Sequence, residues 1–189
     1  PIPGGRGFVT IPAREMHGSR KDSNSAYEVG INYKYSDTGN VFFNYTRALR
    51  TPTIQDAGAW YGPVKTQKND IFEIGLRDAY KNTSVATSVF YINSKNEIYY
   101  DKTNPFSSNN QNFDGKVRRI GAQLSLAHYF DKLILRERVS YIVPKVTSGT
   151  YDGKEFAGVS RWTANVGATY NIIKGLTANV DGYYQSNAY

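Results

Sequence analysis

Basic and aromatic side chains occur close together at three places in this 189-residue chain. Arg and Lys make charge-assisted hydrogen bonds to carboxylates and phosphates, and aromatic rings stack on planar ligands. The combination predicts a binding site for an anionic ligand that is planar or aromatic. The predicted ligand-binding residues are Arg47, Arg50, Trp60, Tyr61, Tyr99, Tyr100, Arg118 and Arg119, with Lys95, Lys102 and Phe106 beside them.

These residues also have simpler explanations. Arg and Lys near the ends of strands can bridge lipid phosphates or remain solvated. Trp60 and Tyr61 would also suit a membrane interface, where amphipathic rings act as anchors. His17 could bind haem iron, but a single histidine in a loop is more often a solvated side chain. No resident cofactor or metal is expected.

Catalytic chemistry has little support in the sequence. The chain has no cysteine, and its two histidines, His17 and His128, lie far apart. No Gly-x-Ser-x-Gly elbow occurs. The glycine-rich segment Pro3–Gly7 neither follows a strand nor begins a helix, so it does not predict a phosphate-binding loop. The bases are scattered and form no single stripe, which argues against nucleic acid as a partner.

Eight stretches of roughly ten residues alternate apolar and polar side chains, which is the period and length of a strand that crosses a bilayer. The clearest has Ile120, Ala122, Leu124 and Leu126 on one face and small or polar residues on the other. The pattern predicts an all-β chain of antiparallel strands. The predicted strands are Ser25–Tyr35, Val41–Ala48, Asp70–Tyr80, Val85–Asn93, Ile120–Ala127, Leu133–Ile142, Arg161–Tyr170 and Leu176–Gln185.

Short turns alternate with long polar connections along the chain. Aromatic residues precede the turns, which lie near residues 36–40, 81–84, 130–132 and 171–175. The long connections are Thr51–Asn69, Ser94–Gly115 and Pro144–Gly158. Outer-membrane barrels have short turns at one end, long loops at the other and aromatic girdles at both interfaces. The sequence therefore predicts a transmembrane β-barrel segment.

Two local expectations follow from the alternation. Glu137 falls on the face that would contact lipid, so we expect either a bulge that shifts the register or a base on a neighbouring strand. Charged residues on the other face predict a ladder of salt bridges along the polar interior. The predicted ladder contains Glu28, Glu73, Arg77, Arg136 and Arg138.

The composition agrees with a barrel. Mean hydropathy is negative, and no apolar run approaches the 18 or so residues that a transmembrane helix needs. The chain has 16 Tyr, 9 Phe and 2 Trp, residue types that suit membrane interfaces. Its net charge of +7 favours anionic partners without selecting one.

Four segments, taken in order, resemble TonB-dependent outer-membrane receptors. NYTRALRTPT at residues 44–53 is similar to the family's strand-to-loop motif, and KTQKNDIFEIGLR at residues 65–77 looks like the strand that follows it. VFYINSKNEI at residues 89–98 and RIGAQL at residues 119–124 resemble two later strands. The resemblance extends over roughly residues 25–189.

The resemblance implies a barrel of about 22 strands closed by a plug domain, of which residues 25–189 would be a consecutive run from the C-terminal half. Residues 1–24 would belong to an outer loop, and the plug and the last strands would lie outside the sequence. We expect the bacterial outer membrane as the location. The implied function is import of a ferric siderophore or similar iron chelate, driven by TonB, with lipid and lipopolysaccharide as further partners. The alternative is a non-transporting β-sheet binding protein or a small barrel adhesin.

Overall fold

The computed structural model describes residues 23–53, 64–100 and 110–188. These residues form ten antiparallel strands. Eight of the strands build one sheet in the order β1-β2-β3-β4-β7-β8-β9-β10, and β5 and β6 form a separate ribbon. The strands are β1 (Tyr27–Lys34), β2 (Asn40–Arg50), β3 (Gln67–Tyr80), β4 (Thr83–Lys95), β5 (Ile98–Tyr100), β6 (Asn110–Asn112), β7 (Lys116–Tyr129), β8 (Leu133–Val146), β9 (Trp162–Ile173) and β10 (Leu176–Gln185).

One face of the sheet is apolar and exposed. Successive side chains of a strand point to opposite faces, and the register places Ile31 opposite Phe43, Phe43 opposite Ile74, and Ile74 opposite Val89. These four side chains are 68%, 42%, 56% and 53% exposed. The alternation therefore gives a continuous apolar surface across the strands, which we call the outer face, and a polar inner face.

The exposure of this surface distinguishes a lipid-facing sheet from a soluble sandwich. In a sandwich, Ile31, Ile120, Leu124 and Val166 would pack into a core, yet they are 68%, 47%, 39% and 55% exposed. The buried apolar side chains are instead near the ends of strands and in a loop, at Val64, Ile98, Val117 and Val146. The prediction of an all-β antiparallel sheet with an apolar outer face is confirmed.

Four tight connections join the hairpins of the main sheet at one end, which we call the turn end. The turn after β1 is closed by hydrogen bonds from the Tyr35 and Ser36 amides to the Gly39 carbonyl. Lys81 adopts a left-handed conformation with φ of 49°. Exposed Tyr80 and Tyr129 stand beside their turns, as the predicted aromatic belt requires. The long connections all leave from the opposite end, the loop end.

Most strands are longer at the loop end than their apolar patterns predict. The strand predicted as Asp70–Tyr80 begins at Gln67, and the one predicted as Leu133–Ile142 continues to Val146. Backbone hydrogen bonds do not require apolar side chains, so the pairing of the strands continues beyond the apolar zone. The predicted loop Ser94–Gly115 also contains the β5–β6 ribbon, which has no alternating apolar pattern to reveal it.

Neither of the two alternatives for Glu137 is found. The pairing of β8 with β7 and with β9 has no register shift at this position, and the residues opposite Glu137 are Leu126 and Val166. Arg136 and Arg138, the nearest bases in sequence, point to the inner face. The carboxyl is thus on the outer face between apolar neighbours.

Within the described part of the chain, helices long and apolar enough to cross a membrane are not found.

A charge placed on the outer face should destabilise the protein. We expect Val166→Arg in the intact protein to lower stability by about 2–4 kcal/mol, the cost of Arg near the middle of a bilayer. The protein is heated in detergent and run on a gel, where the folded and unfolded forms migrate differently. The measurement is the temperature at which half of the protein has unfolded.

The matched control is Asn165→Arg, at the same depth on the opposite face of β9. It should shift the midpoint much less, because its side chain enters the polar interior. Equal shifts for the two variants would contradict the assignment of the faces.

Candidate functional site

The parts of the long connections that the structure describes contact one another above the loop end. The Arg50 guanidinium donates to the Ile98 carbonyl at 3.1 Å. Asn112 joins two segments, since its amide donates to the Lys65 and Asn96 carbonyls at 2.9 and 2.8 Å. The candidate site is therefore a folded layer built on the loop ends of β2, β3, β4, β7 and β8.

Arg119 anchors this layer to the sheet. Its guanidinium donates to both carboxylate oxygens of Glu97, at 2.9 and 2.5 Å, and to the Ser94 hydroxyl at 3.1 Å. The side chains of Arg119 and Glu97 are only 15% and 12% exposed. The Phe156 ring lies 5.2 Å from the guanidinium carbon. Such a two-pronged pair fixes geometry as well as charge, so Arg119 connects the start of β5 to β7.

Three aromatic rings from two other segments pack around Phe113. Its ring centroid is 5.6 Å from that of Tyr99, 6.0 Å from that of Tyr151 and 5.1 Å from that of Phe156. Offset and edge-on pairs at these distances are favourable. The cluster holds the β5–β6 ribbon against the connection between β8 and β9. The sequence did not predict three of these residues as site residues: Phe113, Tyr151 and Phe156. Large aromatic residues within otherwise polar loops could have indicated them.

Of the predicted ligand-binding residues, Arg50, Tyr99, Tyr100 and Arg119 belong to this layer. Arg50 is on the inner face at the end of β2. The Tyr99 hydroxyl accepts a hydrogen bond from Gln111 at 3.1 Å, and Tyr100 is 51% exposed. Their roles as ligand contacts stay predictions. Predicted positions outside the described residues are Trp60, Tyr61, Lys102, Phe106 and His17.

Arg47 and Arg118 lie on the other side of the sheet. The register places Arg47 on the outer face, opposite Tyr27 and Asp70. Its guanidinium is 3.1 Å from the Asp70 carboxylate, which also accepts a hydrogen bond from Tyr45 at 3.0 Å. Arg118 is on the outer face as well. The structure thus separates these two arginines from Arg50 and Arg119, and the ligand-binding role of each stays a prediction.

The inner face carries a network of side-chain hydrogen bonds where a salt-bridge ladder was expected. Glu73 accepts from Ser88 at 2.7 Å and from Gln123 at 3.2 Å. Arg138 donates to Ser125 at 3.3 Å. Glu73 and Arg77 are four residues apart on one strand, about 13 Å along it, which is too far for an ion pair. The predicted ladder of Glu28, Glu73, Arg77, Arg136 and Arg138 is therefore wrong for the described residues.

Two aromatic rings lie over glycines on the same inner face. Phe42 covers Gly75 and Phe90 covers Gly121, in each case directly across from it in the register. A Cβ at either glycine would collide with the ring. The Arg77 guanidinium also stacks on Phe42, 4.7 Å from the ring centroid. These contacts keep Arg77 flat against the sheet wall beside Glu73, Ser88 and Gln123.

Two carboxylates order the connection between β8 and β9. Arg161 donates to both oxygens of Glu155, at 2.8 and 2.5 Å, and this contact lowers the pKa of Glu155. Asp114 accepts from the Thr150 hydroxyl and amide at 2.8 and 3.1 Å, which lowers the pKa of Asp114. Both groups are charged at neutral pH and hold the loop in place.

The chain matches one family model over nearly its full length. The model describes the β-barrel of TonB dependent receptor-like proteins and matches residues 4–189. An uncharacterized TonB-dependent receptor of Haemophilus influenzae is 27% identical over 161 residues, which are 82% of this chain and 45% of that protein. The chain therefore spans about half the length of this relative.

Solved barrels have the same fold. The FrpB iron transporter from Neisseria meningitidis superposes with a TM-score of 0.64 at 16% identity, covering 87% of this chain and 27% of that one. The ferric-catecholate import receptor Fiu from E. coli K12 superposes with a TM-score of 0.61 at 17% identity, covering 97% and 29%. At these identities the likeness concerns the fold.

Loss of the Arg119–Glu97 pair should loosen the ribbon. In the intact protein, Glu97→Gln leaves Arg119 without a charged partner, and we expect a local loss of roughly 1–3 kcal/mol. Hydrogen exchange of β5, β6 and the Phe113 amide should accelerate about 5- to 150-fold. Glu28→Gln, on the distant strand β1, is the matched control and should leave the ribbon unchanged. Unchanged exchange in both variants would contradict the anchoring role.

The connection between β8 and β9 should be sensitive to acid. The ordinary pKa values of Glu155 and Asp114 are 4.5 and 3.8, and both are lowered in the fold. Their stabilising contribution is complete above the ordinary values and is lost as the pH falls through the lowered ones. Hydrogen exchange in residues 147–161, corrected for the intrinsic rate, should be constant from about pH 7 to 5 and accelerate below about pH 4. Asp114→Asn should weaken this dependence.

Proposed function

The chain belongs to the TonB-dependent receptor family, and we propose that it forms part of the barrel wall of an outer-membrane receptor that imports a ferric siderophore or a similar iron chelate. The single observation that carries the proposal is the division of the sheet. An exposed apolar face contacts lipid, a polar face lines the interior, and a folded layer of loops stands at one end. A nutrient receptor needs all three parts.

The edges of the sheet support a larger barrel. Strands β1 and β10 are exposed along their whole lengths, and each has one edge without a partner strand among the described residues. Unpaired backbone groups are not tolerated in the hydrocarbon of a bilayer. We infer that further strands of the receptor pair with both edges and close the barrel, with residues 25–189 as a consecutive run within it.

The layer at the loop end supports an anionic chelate as the cargo. Arg50 is at the loop end of β2 and donates to the Ile98 carbonyl of the ribbon, on which Tyr99 and Tyr100 follow directly. An arginine and phenol rings give charge and stacking contacts to an anionic, aromatic chelate. Trp60 and Tyr61 belong to the same proposed site. FrpB is an iron transporter, and Fiu is a ferric-catecholate import receptor.

We propose that uptake by the intact receptor requires TonB and a plug domain. The part we propose for this stretch is the barrel wall and part of the outer entrance. The outer membrane is the proposed location. A non-transporting binding protein in a soluble form is disfavoured by the exposed apolar face, and a small barrel adhesin is disfavoured by the unpaired edges.

We expect Arg50→Ala in the intact receptor to weaken binding of its ferric chelate about tenfold, the usual size for one charge-assisted contact. Binding is measured by fluorescence quenching with a panel of ferric catecholates, hydroxamates and citrate, and uptake by radioactive iron in cells with and without TonB. Trp60→Ala should give a similar loss.

Lys81→Ala at the turn end is the matched control and should bind normally. Arg47→Ala tests the remaining prediction for that residue, and we expect a smaller loss than for Arg50→Ala, because Arg47 pairs with Asp70 on the outer face. Normal binding in Arg50→Ala and Trp60→Ala together would remove these residues from the site. Uptake that does not depend on TonB would contradict the proposed function.

A further inference from the structure

Two arginines face each other across the inner face of the sheet, in the half nearer to the turn end. Arg77 on β3 is paired with Ala86 on β4. Ala86 is paired with Ser125 on β7, and Ser125 with Arg138 on β8. The two arginines are thus three strand spacings apart, about 14 Å. Only two short side chains lie between them, so the wall is recessed there. We call the depression formed by these four residues the arginine cleft.

Both guanidiniums of the cleft are exposed, and each is held by a neutral partner. Arg77 stacks on the Phe42 ring, 4.7 Å from its centroid. Arg138 donates through Nε to the Ser125 hydroxyl at 3.3 Å. A guanidinium carries five N–H donors, and most of those on these two side chains have no acceptor among the described residues. The cleft therefore presents positioned donors to the interior.

Acidic side chains do not neutralise the cleft. Within the part of the chain that the structure describes, no carboxylate forms a salt bridge with Arg77 or Arg138. Glu73 lies at the upper margin of the cleft, where it accepts hydrogen bonds from Ser88 and Gln123 at 2.7 and 3.2 Å. Two guanidiniums and this one carboxylate leave a net positive charge.

The cleft is well separated from the loop layer. Ser125 and Arg119 are six residues apart on β7, about 20 Å along the strand. Closer to the turn end, Arg136 is paired with Gly167, over which the Asp181 carboxylate lies, so this third arginine has an acidic neighbour. An anion that moves along the inner wall from the loop layer towards the turn end therefore meets the arginine cleft on its way.

We propose that the arginine cleft is a transit site, which an anionic iron chelate occupies between the loop layer and the turn end. Guanidiniums on opposite sides of the cleft suit a chelate with anionic oxygens on opposite sides, because each side can accept charge-assisted hydrogen bonds. Exposed ion pairs are weak, which suits a ligand that must leave again better than a permanent contact with a plug domain. This inference rests on the proposed function for the identity of the ligand.

The first test measures the charge preference of the cleft with a single thiol. This chain has no cysteine, and any cysteine elsewhere in the intact receptor is replaced by serine. Ala86→Cys then places a thiol on the floor of the cleft. Its reaction rate is measured with two methanethiosulfonates of similar size, one carrying a sulfonate and one a trimethylammonium group. A positive cleft concentrates anions about 10- to 1000-fold, so the anionic reagent should be favoured at least about tenfold more than with a free thiol.

Two matched backgrounds decide where this preference comes from. It should disappear in A86C/R77Q/R138Q and persist in A86C/K81Q/K132Q, which removes the same charge from two tight turns. The same preference in both backgrounds, or none in A86C alone, would overturn the proposal. A thiol that neither reagent reaches until urea unfolds the receptor would show that the plug domain fills the cleft, and this result would overturn the transit site. If A86C/R77Q/R138Q does not fold, A86C/R138Q should show a reduced preference, and an unchanged one would contradict the proposal.

The second test separates the transit site from the proposed function. In R77Q/R138Q, heat-modifiable migration and equilibrium binding of the ferric chelates should be normal, while uptake of radioactive iron slows roughly tenfold, because two weak ionic contacts are lost together. R77K/R138K keeps the charge and should retain most of the uptake. Normal uptake in R77Q/R138Q would overturn the transit site and leave the import function intact. An unmodified receptor that imports none of the chelates, yet keeps the reagent preference, would contradict the proposed function and leave the cleft as an anion site.

Discussion

The uninterrupted backbone ladder between neighbouring strands is the constraint on which the rest of this structure depends. Inside a bilayer no water is available for N–H and C=O groups, so each strand must be paired on both sides. Pairing without slippage also keeps the side chains in phase, because a shift of one residue would move every apolar side chain to the other face. Among the described residues of the main sheet, a single register shift is found, at Leu176 and Thr177 beside a turn. The two faces are consequently coherent across eight strands.

The backbone hydrogen bonds between strands also explain why the loop layer can be ordered. Strands β2, β3, β4, β7 and β8 continue beyond the apolar zone, so the long connections begin from fixed positions. From there Arg50 reaches Ile98, and Arg119 reaches Glu97. The Phe113 cluster then joins segments that are far apart in sequence. The sheet is therefore the rigid support on which the loop layer is built.

The sequence alone predicted the parts of the structure that depend on local periodicity. Strand Leu176–Gln185 was predicted with its observed bounds, and the eight main strands and their turns were all recognised. The β5–β6 ribbon was missed, because it is stabilised by partners in other segments and not by its own pattern. Glu97 and Phe113 were missed as site residues for the same reason, because their partners lie in other segments of the chain. The prediction of a salt-bridge ladder was wrong because two charged residues four positions apart on a strand share a face but are too far apart to touch. Glycine, serine and glutamine occupy the neighbouring positions on that face.

Parity decides which face of the sheet each arginine at the loop end reaches. Arg47 and Arg50 are three residues apart in one motif, yet an odd separation sends one side chain to the lipid side and the other to the interior. The same rule sends Arg118 outward and Arg119 inward from adjacent positions on β7. Adjacent arginines in this sequence therefore do not form one larger positive patch. They divide between the inner face and the outer face of the sheet.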